Sequence, residues 1–331
     1  MTSTAVRPTH PSISIIVPAH NEEAGIEVTY RAIAVELDRT GCPWEIVLVD
    51  DGSRDNTVTV WRGLMAADAR LGLVTFTRNY GKENALLAGF AHVQGDVTIP
   101  MDADLQDPPE VIPAFLERWR AGFDMVYGVR RSRDESFFKK LSATLHYRLL
   151  NALSPIHIPE EAGDFRLLDR GVVLDLLKLP ERDRYHKGLY AWVGHKSCAV
   201  LYDRPARLIG EAQQSFRKLL TLAFDGIISF SAAPLQFLLW IGLASCGIAI
   251  LYACYLLTQV LILHGPTPAG YPTLLCFILF FGGIQMTALG LIGEYLARIY
   301  REVKQRPPYL LADVSQAKLG TGHVAPKPTS P

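Results

Sequence analysis

Val97-Thr98-Ile99-Pro100-Met101, continuing directly into Asp102-Ala103-Asp104-Leu105-Gln106-Asp107-Pro108-Pro109-Glu110, is the stretch that decides the fold class. The opening residues are apolar enough for a buried strand, the middle carries carboxylates and an amide, and Pro108 sits where a helix favours proline in its first turn. Strand, carboxylate-rich loop and helix make half of a β–α–β unit. Alternate residues of an extended segment point the same way, so Asp102, Asp104 and Gln106 converge on one object if the backbone stays extended. Oxygen donors at the end of a parallel strand suit a hard divalent cation that holds a diphosphate. A polar loop without a ligand is the plainer reading of an Asp-x-Asp taken alone.

The same alternation runs outward from this segment. Ile13 to Val17 is an apolar run ending in Pro18, and Asn21 then caps a helix with Glu22 and Glu23 in its first turn. Glu45 to Val49 ends in Asp50-Asp51-Gly52-Ser53, with Asp55 or Asn56 starting the next helix. Val74 to Thr77 leads into Arg78-Asn79-Tyr80-Gly81-Lys82 and a helix to about His92, and Asp124 to Val129 reads as a further strand. The pattern predicts an α/β domain with a mostly parallel sheet and polar clusters after the strands, where open α/β sheets bind ligands. A Gly-x-Gly-x-x-Gly fingerprint and a P-loop are both missing, which argues against hydride transfer and NTP hydrolysis of the usual kinds.

The chain has 331 residues, enough for one large or two modest domains, and its 33 Lys plus Arg balance 33 Asp plus Glu. Zero net charge gives no global attraction to nucleic acid, and no such partner is expected. Residues 1–11 read as a flexible lead-in with no apolar leader segment. Cys42, Cys198, Cys246, Cys254 and Cys276 have no metal-ligand spacing and read as small buried hydrophobes in a reducing compartment. His186 and His195 lack a partner at ligand spacing, so surface or packing roles are expected, and Trp192 reads as packing.

The last third is more apolar. Residues 137–153 and 216–230 have helical periodicity, the latter with Phe216, Leu219, Leu220, Ala223, Phe224, Ile227 and Ile228 on one face beside Arg217 and Lys218. That suits a helix in a membrane interface, or one packed on the soluble domain. Residues 235–263 and 273–297 are each long enough to cross a bilayer. The loop between them has no Lys or Arg, whereas Arg217 and Lys218 precede the pair and Arg298, Arg301, Lys304 and Arg306 follow it. The positive-inside rule then puts both flanks and both termini in the cytoplasm, in a multi-pass protein of the inner membrane. Residues beyond about 312 read as disordered.

Taken together, Ser14-Ile-Ile-Val-Pro-Ala-His-Asn-Glu22, Val49-Asp-Asp-Gly-Ser-Arg-Asp-Asn-Thr57, Arg78-Asn-Tyr-Gly-Lys82, Asp102-Ala-Asp-Leu-Gln106, Gly163-Asp-Phe-Arg-Leu-Leu168, Arg207-Leu-Ile-Gly-Glu211 and Gly293-Glu-Tyr-Leu-Ala-Arg-Ile-Tyr300 resemble the polyprenyl-phosphate glycosyltransferases of glycosyltransferase family two, relatives of dolichol-phosphate mannose synthase and bactoprenol glucosyltransferase. The order and spacing of these segments, from about residue 12 to 310, carry the resemblance. It implies a GT-A, Rossmann-like nucleotide-sugar domain over 12–215, a juxtamembrane amphipathic helix over 216–232, transmembrane helices over 235–263 and 273–297, and a cytoplasmic tail over 298–331. It also implies inverting transfer of one sugar from a nucleotide sugar to a polyprenyl phosphate such as undecaprenyl phosphate.

Carried over by position, the resemblance puts Pro18, Glu22, Asp50 and Asp51 around base and ribose, Asp102 on the nucleotide, and Asp104 and Gln106 on Mg²⁺ or Mn²⁺. Arg130, Lys139 and Arg207 fall at positions for basic contacts to the acceptor phosphate, with Arg131, Arg133 and Lys140 close by. Lys82 reaches toward the diphosphate or is a surface lysine at a helix start. Asp164 caps the following segment or acts as a base near the acceptor. UDP-glucose is the favoured donor, with UDP-N-acetylhexosamine, UDP-aminopentose and GDP-mannose open. The lipid-linked product would pass to a flippase and a downstream transferase in envelope polysaccharide or lipopolysaccharide modification. Gly282, Gly283, Gly290 and Gly293 suit close helix packing, in the hairpin or in a homo-oligomer. Two departures stand out: Ala212-Gln213-Gln214 replaces the usual Ser-Lys-Tyr, and Lys139 replaces an Arg found in some relatives, losing bidentate geometry. A processive polysaccharide synthase fits less well, since Phe115 stands at the Gln position of the Gln-x-x-Arg-Trp such enzymes carry. A non-catalytic membrane scaffold has only the altered 212–214 loop in its favour.

Overall fold

Trp44–Asp50, strand β2, is buried at every position, as a strand covered by helices on both faces must be. It lies inside one sheet of the computed structural model, which describes residues 7–131, 164–182, 184–203 and 270–319 with scattered positions between 238 and 258. Lys139, Arg207, Arg133, Lys140, the 212–214 loop, the 137–153 and 216–232 helices and most of the 235–263 span lie outside the described residues.

β1 (Ile13–Ala19), β2, β3 (Leu71–Phe76) and β4 (Val97–Pro100) are parallel, joined through α1 (Ile26–Arg39), α2 (Thr57–Ala67) and α3 (Lys82–His92). After β4 a 3₁₀ turn, Pro109–Val111, runs into α4 (Ile112–Arg120) and β5 (Met125–Arg130). β6 (Arg166–Asp169), α5 (Arg170–Lys178), α6 (His186–Trp192) and β7 (Ser197–Tyr202) follow. α7 (Tyr271–Val303) and β8 (Leu311–Ser315) end the described chain. The sheet order is β7-β5-β6-β4-β1-β2-β3-β8. Chain order reverses between β1 and β4, which opens a crevice at the carboxyl ends of the strands. Ala19 pairs with Asp50, and Asp50 with Thr75, so the loops after β1, β2 and β3 emerge side by side.

The α/β architecture matches the expectation from the sequence, with differences in detail. β6 is antiparallel to both β4 and β5, and the segment carrying Phe165-Arg166-Leu167-Leu168 supplies it. Its alternation was too short to read as a strand. The lead-in is anchored from Arg7, which pairs with Asp124 and donates to the Phe123 carbonyl at 2.7 Å. Asn21 is not a helix cap: it sits at φ 58°, its side-chain oxygen accepts from Arg54 N–H at 2.9 Å, and α1 starts only at Ile26. Disorder was expected beyond about residue 312, and Leu311–Ser315 corrects this for its own residues, since it pairs antiparallel with β3 from Leu73 to Phe76, while 320–331 lie outside the described residues. An otherwise open edge of backbone donors and acceptors accounts for that pairing.

The described chain divides into two compact units, one containing the sheet with its helices and the other containing α7. α7 is 33 residues long. Among the described residues no helix is long and apolar enough to cross a membrane. Several side chains of α7, including those of Thr273, Leu275, Cys276 and Leu279, lie outside that description.

Candidate active site

The loop after β2 turns at Gly52, whose φ is +68°. A Cβ there would lie 2.4 Å from the Arg78 carbonyl carbon, so the loop after β3 passes directly over a residue that must lack a side chain. Asp51 fixes that passage. Its carboxylate accepts from the backbone N–H of Tyr80 at 2.6 Å and of Gly81 at 2.9 Å, and its own N–H donates to the Ala19 carbonyl at 2.8 Å. The loops after β1 and β2 are laced in the same way: Asn21 N–H donates to Ser53 Oγ and Glu22 N–H to Thr57 Oγ1, both at 2.9 Å.

Together the three loops enclose a cavity of about 430 Å³ lined by His20, Asn21, Asp50, Gly52, Ser53, Arg54, Phe76, Thr77, Arg78 and Asn79. Asp50 is almost wholly buried, and burial pushes its carboxyl above the usual range against the hydrogen bonds it accepts from Ser53. The Arg78 guanidinium lies 4.0 Å over the Tyr80 ring. A cavity with a buried carboxylate, amides, two hydroxyls and two arginines fits a polar, anionic ligand such as a nucleotide.

From this wall the chain runs into Lys82 at the start of α3. Its ammonium bridges Asp102, at 2.6 Å from Oδ1, and Asp164, at 3.2 Å from Oδ2. Burial alone would raise the Asp164 carboxyl, but Lys82, Lys187 and Arg166 outweigh it and hold the group down at about 2. For Lys82 burial works the other way, and the two carboxylates overcome it to hold the ammonium above its ordinary range. Asp164 Oδ1 is buried with no hydrogen-bond partner among the described residues. Beneath this triad, Glu83 accepts from the His186 backbone N–H at 3.0 Å and pairs with its ring Nδ1. Buried Arg166 places its guanidinium 3.9 Å from the Tyr190 ring centroid.

The residues singled out in the sequence are distributed as follows. Asp50 lines the cavity, whereas Asp51 is committed to the backbone of the adjoining loop. Pro18 and Glu22 lie at the end of β1 and just beyond it, outside the cavity lining. Asp102 meets Lys82. The segment holding Asp104 and Gln106 is not extended: Leu105 has φ 54°, and Asp104 Oδ1 accepts from Gln106 N–H at 3.1 Å. The extended-strand argument for their convergence therefore fails, and a tight turn brings the two residues together instead. Arg130 ends β5 beside Tyr202, whose hydroxyl donates to Asp107 at 2.9 Å.

Asp102, Asp104 and the Gln106 amide are hard oxygen donors on one short turn. No cluster of three His, Cys, Asp or Glu side chains capable of enclosing a metal occurs among the described residues. A magnesium-like ion fits such a set, because it keeps waters and takes further ligands from substrate phosphates. His20, Asn21, Ser53, Arg54, Phe76, Arg78, Asn79 and His186 were not assigned site roles beforehand. All but Phe76 and His186 lie in the matched segments, which were the signal available. His186 is fully buried, while Trp192, expected to pack, is 56% exposed.

The profile of "Glycosyl transferase family 2" matches residues 14–177. An uncharacterized glycosyltransferase of Synechocystis is 42% identical over 91% of this chain and 95% of its own length. A prophage bactoprenol glucosyl transferase homolog of Escherichia coli is 42% identical over 92% of this chain and 99% of its own length. The SfII prophage-derived bactoprenol glucosyl transferase of Shigella flexneri is 43% identical over 90% and 97%. Among solved structures, glucosyl-3-phosphoglycerate synthase of Mycobacterium tuberculosis, crystallised with Mn²⁺, UDP-glucose and phosphoglyceric acid, covers 66% of this chain at 21% identity and a TM-score of 0.45. The near end-to-end match to curated relatives, on a sheet whose strand ends carry the matched segments, makes this chain a member of glycosyltransferase family 2.

Proposed function

We propose that the protein transfers one sugar, with glucose the favoured one, from a nucleotide sugar to undecaprenyl or another polyprenyl phosphate, with inversion, at the cytoplasmic face of a membrane. The observation that carries this reading is the polar cavity after β1–β3, whose lining residue Asn79 lies three residues before Lys82 of the Lys82–Asp102–Asp164 ion triad. The cavity suits a nucleoside and the triad suits the diphosphate end of a donor. The names of the full-length relatives from Escherichia coli and Shigella support the lipid acceptor and the glucosyl group.

In this mechanism an acceptor phosphate oxygen bonds to the anomeric carbon as the bond from that carbon to the diphosphate breaks, and the electron pair leaves on the nucleoside diphosphate. Asp50, Ser53 and Arg54 bind base and ribose, and Asp102 orients the nucleotide. Asp104 and Gln106 would hold Mg²⁺ or Mn²⁺, which when bound would neutralise charge on the departing diphosphate. Lys82 supplies a second, fixed cation to the same oxygens. Arg130, Lys139 and Arg207 position the acceptor phosphate. Asp164, held far below neutral, is a weak base, in keeping with an acceptor that is already an anion.

Membrane attachment rests on α7. Residues 273–293 carry no charge, and Leu274, Phe277, Ile278, Phe280, Met286 and Leu289 are all exposed. A 33-residue helix spans about 50 Å at ~1.5 Å per residue, more than the ~30 Å hydrocarbon core.

Membranes carrying the protein, incubated with undecaprenyl phosphate, Mg²⁺ or Mn²⁺ and a panel of nucleotide sugars, test the reading by mass spectrometry of the lipid fraction. One hexose added from one donor, and lost by at least ~100-fold with Asp104→Ala, is the expected result. Donor turnover without a lipid-linked sugar would refute the acceptor, and full activity in Asp104→Ala would refute the metal assignment.

A further inference from the structure

The last described strand does more than cover a sheet edge. Tyr309 stacks on Phe76, with ring centroids 4.9 Å apart and planes at 16°. Phe76 lines the cavity and meets the Tyr80 ring edge-on at 5.6 Å. Tyr80 in turn lies under the cavity residue Arg78. The backbone repeats the connection: Thr77 N–H, on the cavity wall, donates to the Leu310 carbonyl at 3.1 Å, and Thr75 Oγ1 donates to the Asp313 carbonyl at 3.3 Å. Farther from the cavity, Arg62 pairs with Asp313 at 2.8 Å and Lys318 N–H donates to the Ala69 carbonyl at 2.9 Å. Gly72 leaves little room for a side chain, because a Cβ would lie 3.0 Å from Ala317 N and the last strand would have to give way by a few tenths of an ångström.

The geometry points to Tyr309 as a positioning residue for donor binding, holding Phe76 and, through Tyr80, the Arg78 loop in the shape that accepts the nucleotide. The inference rests on the cavity being the nucleotide site and adds that residues 309–315 complete it. Among the described residues Phe76 is held by two rings, Tyr80 at its edge and Tyr309 stacked on its face, and Tyr309 is the one supplied by the last strand. Removing that ring lets Phe76 and Tyr80 relax and widens the wall that carries Thr77 and Arg78. By linkage the effect is reciprocal: a nucleotide that fits the ordered wall must also tighten β8 on β3.

The test uses the full-length protein in detergent and measures binding of UDP-glucose, UDP-N-acetylglucosamine and GDP-mannose by calorimetry, together with KM and kcat for the tightest binder. Tyr309→Leu is expected to weaken nucleotide binding by about 3- to 10-fold, the size of one aromatic pair, with KM rising and kcat little changed. Tyr309→Phe restores wild-type affinity, since the ring and not the hydroxyl does the positioning. Arg62→Ala, which removes a half-exposed ion pair to the same strand but leaves the Tyr309–Phe76 stack, is expected to weaken affinity less than Tyr309→Leu does, and an equal or larger loss would overturn the role of the ring. Wild-type affinity in a folded Tyr309→Leu protein would overturn the inference while leaving the nucleotide reading intact. Failure of the wild type to bind any of the three would overturn both. Should Tyr309→Leu not fold, hydrogen exchange on the wild type decides: nucleotide must slow exchange at Thr77 and across 311–315, and unchanged exchange there overturns the proposal.

Discussion

Asp164 shows how a single residue's charge state is set by its neighbours. Its carboxyl falls from an ordinary 3.8 to about 2 because three cations outweigh the cost of burial. A carboxyl depressed in the folded state contributes stability that is fully present above the unfolded value and is lost as pH falls through the folded one. The urea midpoint of the wild type should therefore exceed that of Asp164→Asn by a constant amount above about pH 4, and the gap should close as pH falls toward 2. A gap that stays constant across that window would show that Lys82 does not stabilise the ionised form. At this scale the matched segments pointed to residues that the fold gathers: Asp50 lines the cavity and Lys82 pairs with Asp102. The sequence left His186 between a surface and a packing role and gave no hint of its partner Glu83, 103 residues away, because nothing local marks a buried imidazole that ties two helices together. Asp51 was read as a ligand contact because its segment predicted a site, yet its carboxylate holds the neighbouring loop.

Helix α3 places Lys82 and Glu83, and its seating depends on a close approach to β1. A Cβ on Gly89 would lie 2.4 Å from Ile16 Cγ2. Alanine has the better helix propensity by about 1 kcal/mol, but overpacking a closed core costs about 1–3 kcal/mol. Gly89→Ala should therefore be neutral to destabilising by up to ~2 kcal/mol, and Ile16→Ala, which removes the Cγ2 that the new methyl meets, should couple to it, so that the double variant loses less than the two single losses summed. Chemical denaturation of the two single variants and the double variant reads this coupling, and strict additivity would show that the two side chains do not meet. The central strands and their helices were legible because continuous apolar runs and helical periodicity are local signals. β8 was not, since its residues are exposed and its partner lies far away in sequence. The turn after β4 misled for a different reason: Leu105 adopts a left-handed backbone that no leucine advertises.

For the whole molecule, the uncharged stretch of α7 predicts firm membrane association. Isolated membranes should retain the protein through washes in high salt and alkaline carbonate and release it only to detergent. Release by either wash would show that α7 does not reach the hydrocarbon core. The chain also visits the sheet twice: β1 to β7 come first, and β8 arrives only after α7. Thr75 and Asp313, joined across the β3–β8 edge, are 238 residues apart. At roughly 5–20 residues per second, a ribosome needs about 12–48 s between making one and the other. For that interval a nascent chain exposes the bare edge of β3 and an unfinished cavity wall, while the apolar helix is still being delivered. Under the proposal for Tyr309, this synthesis order acts as a timer: donor is accepted at full affinity only once α7 has been completed.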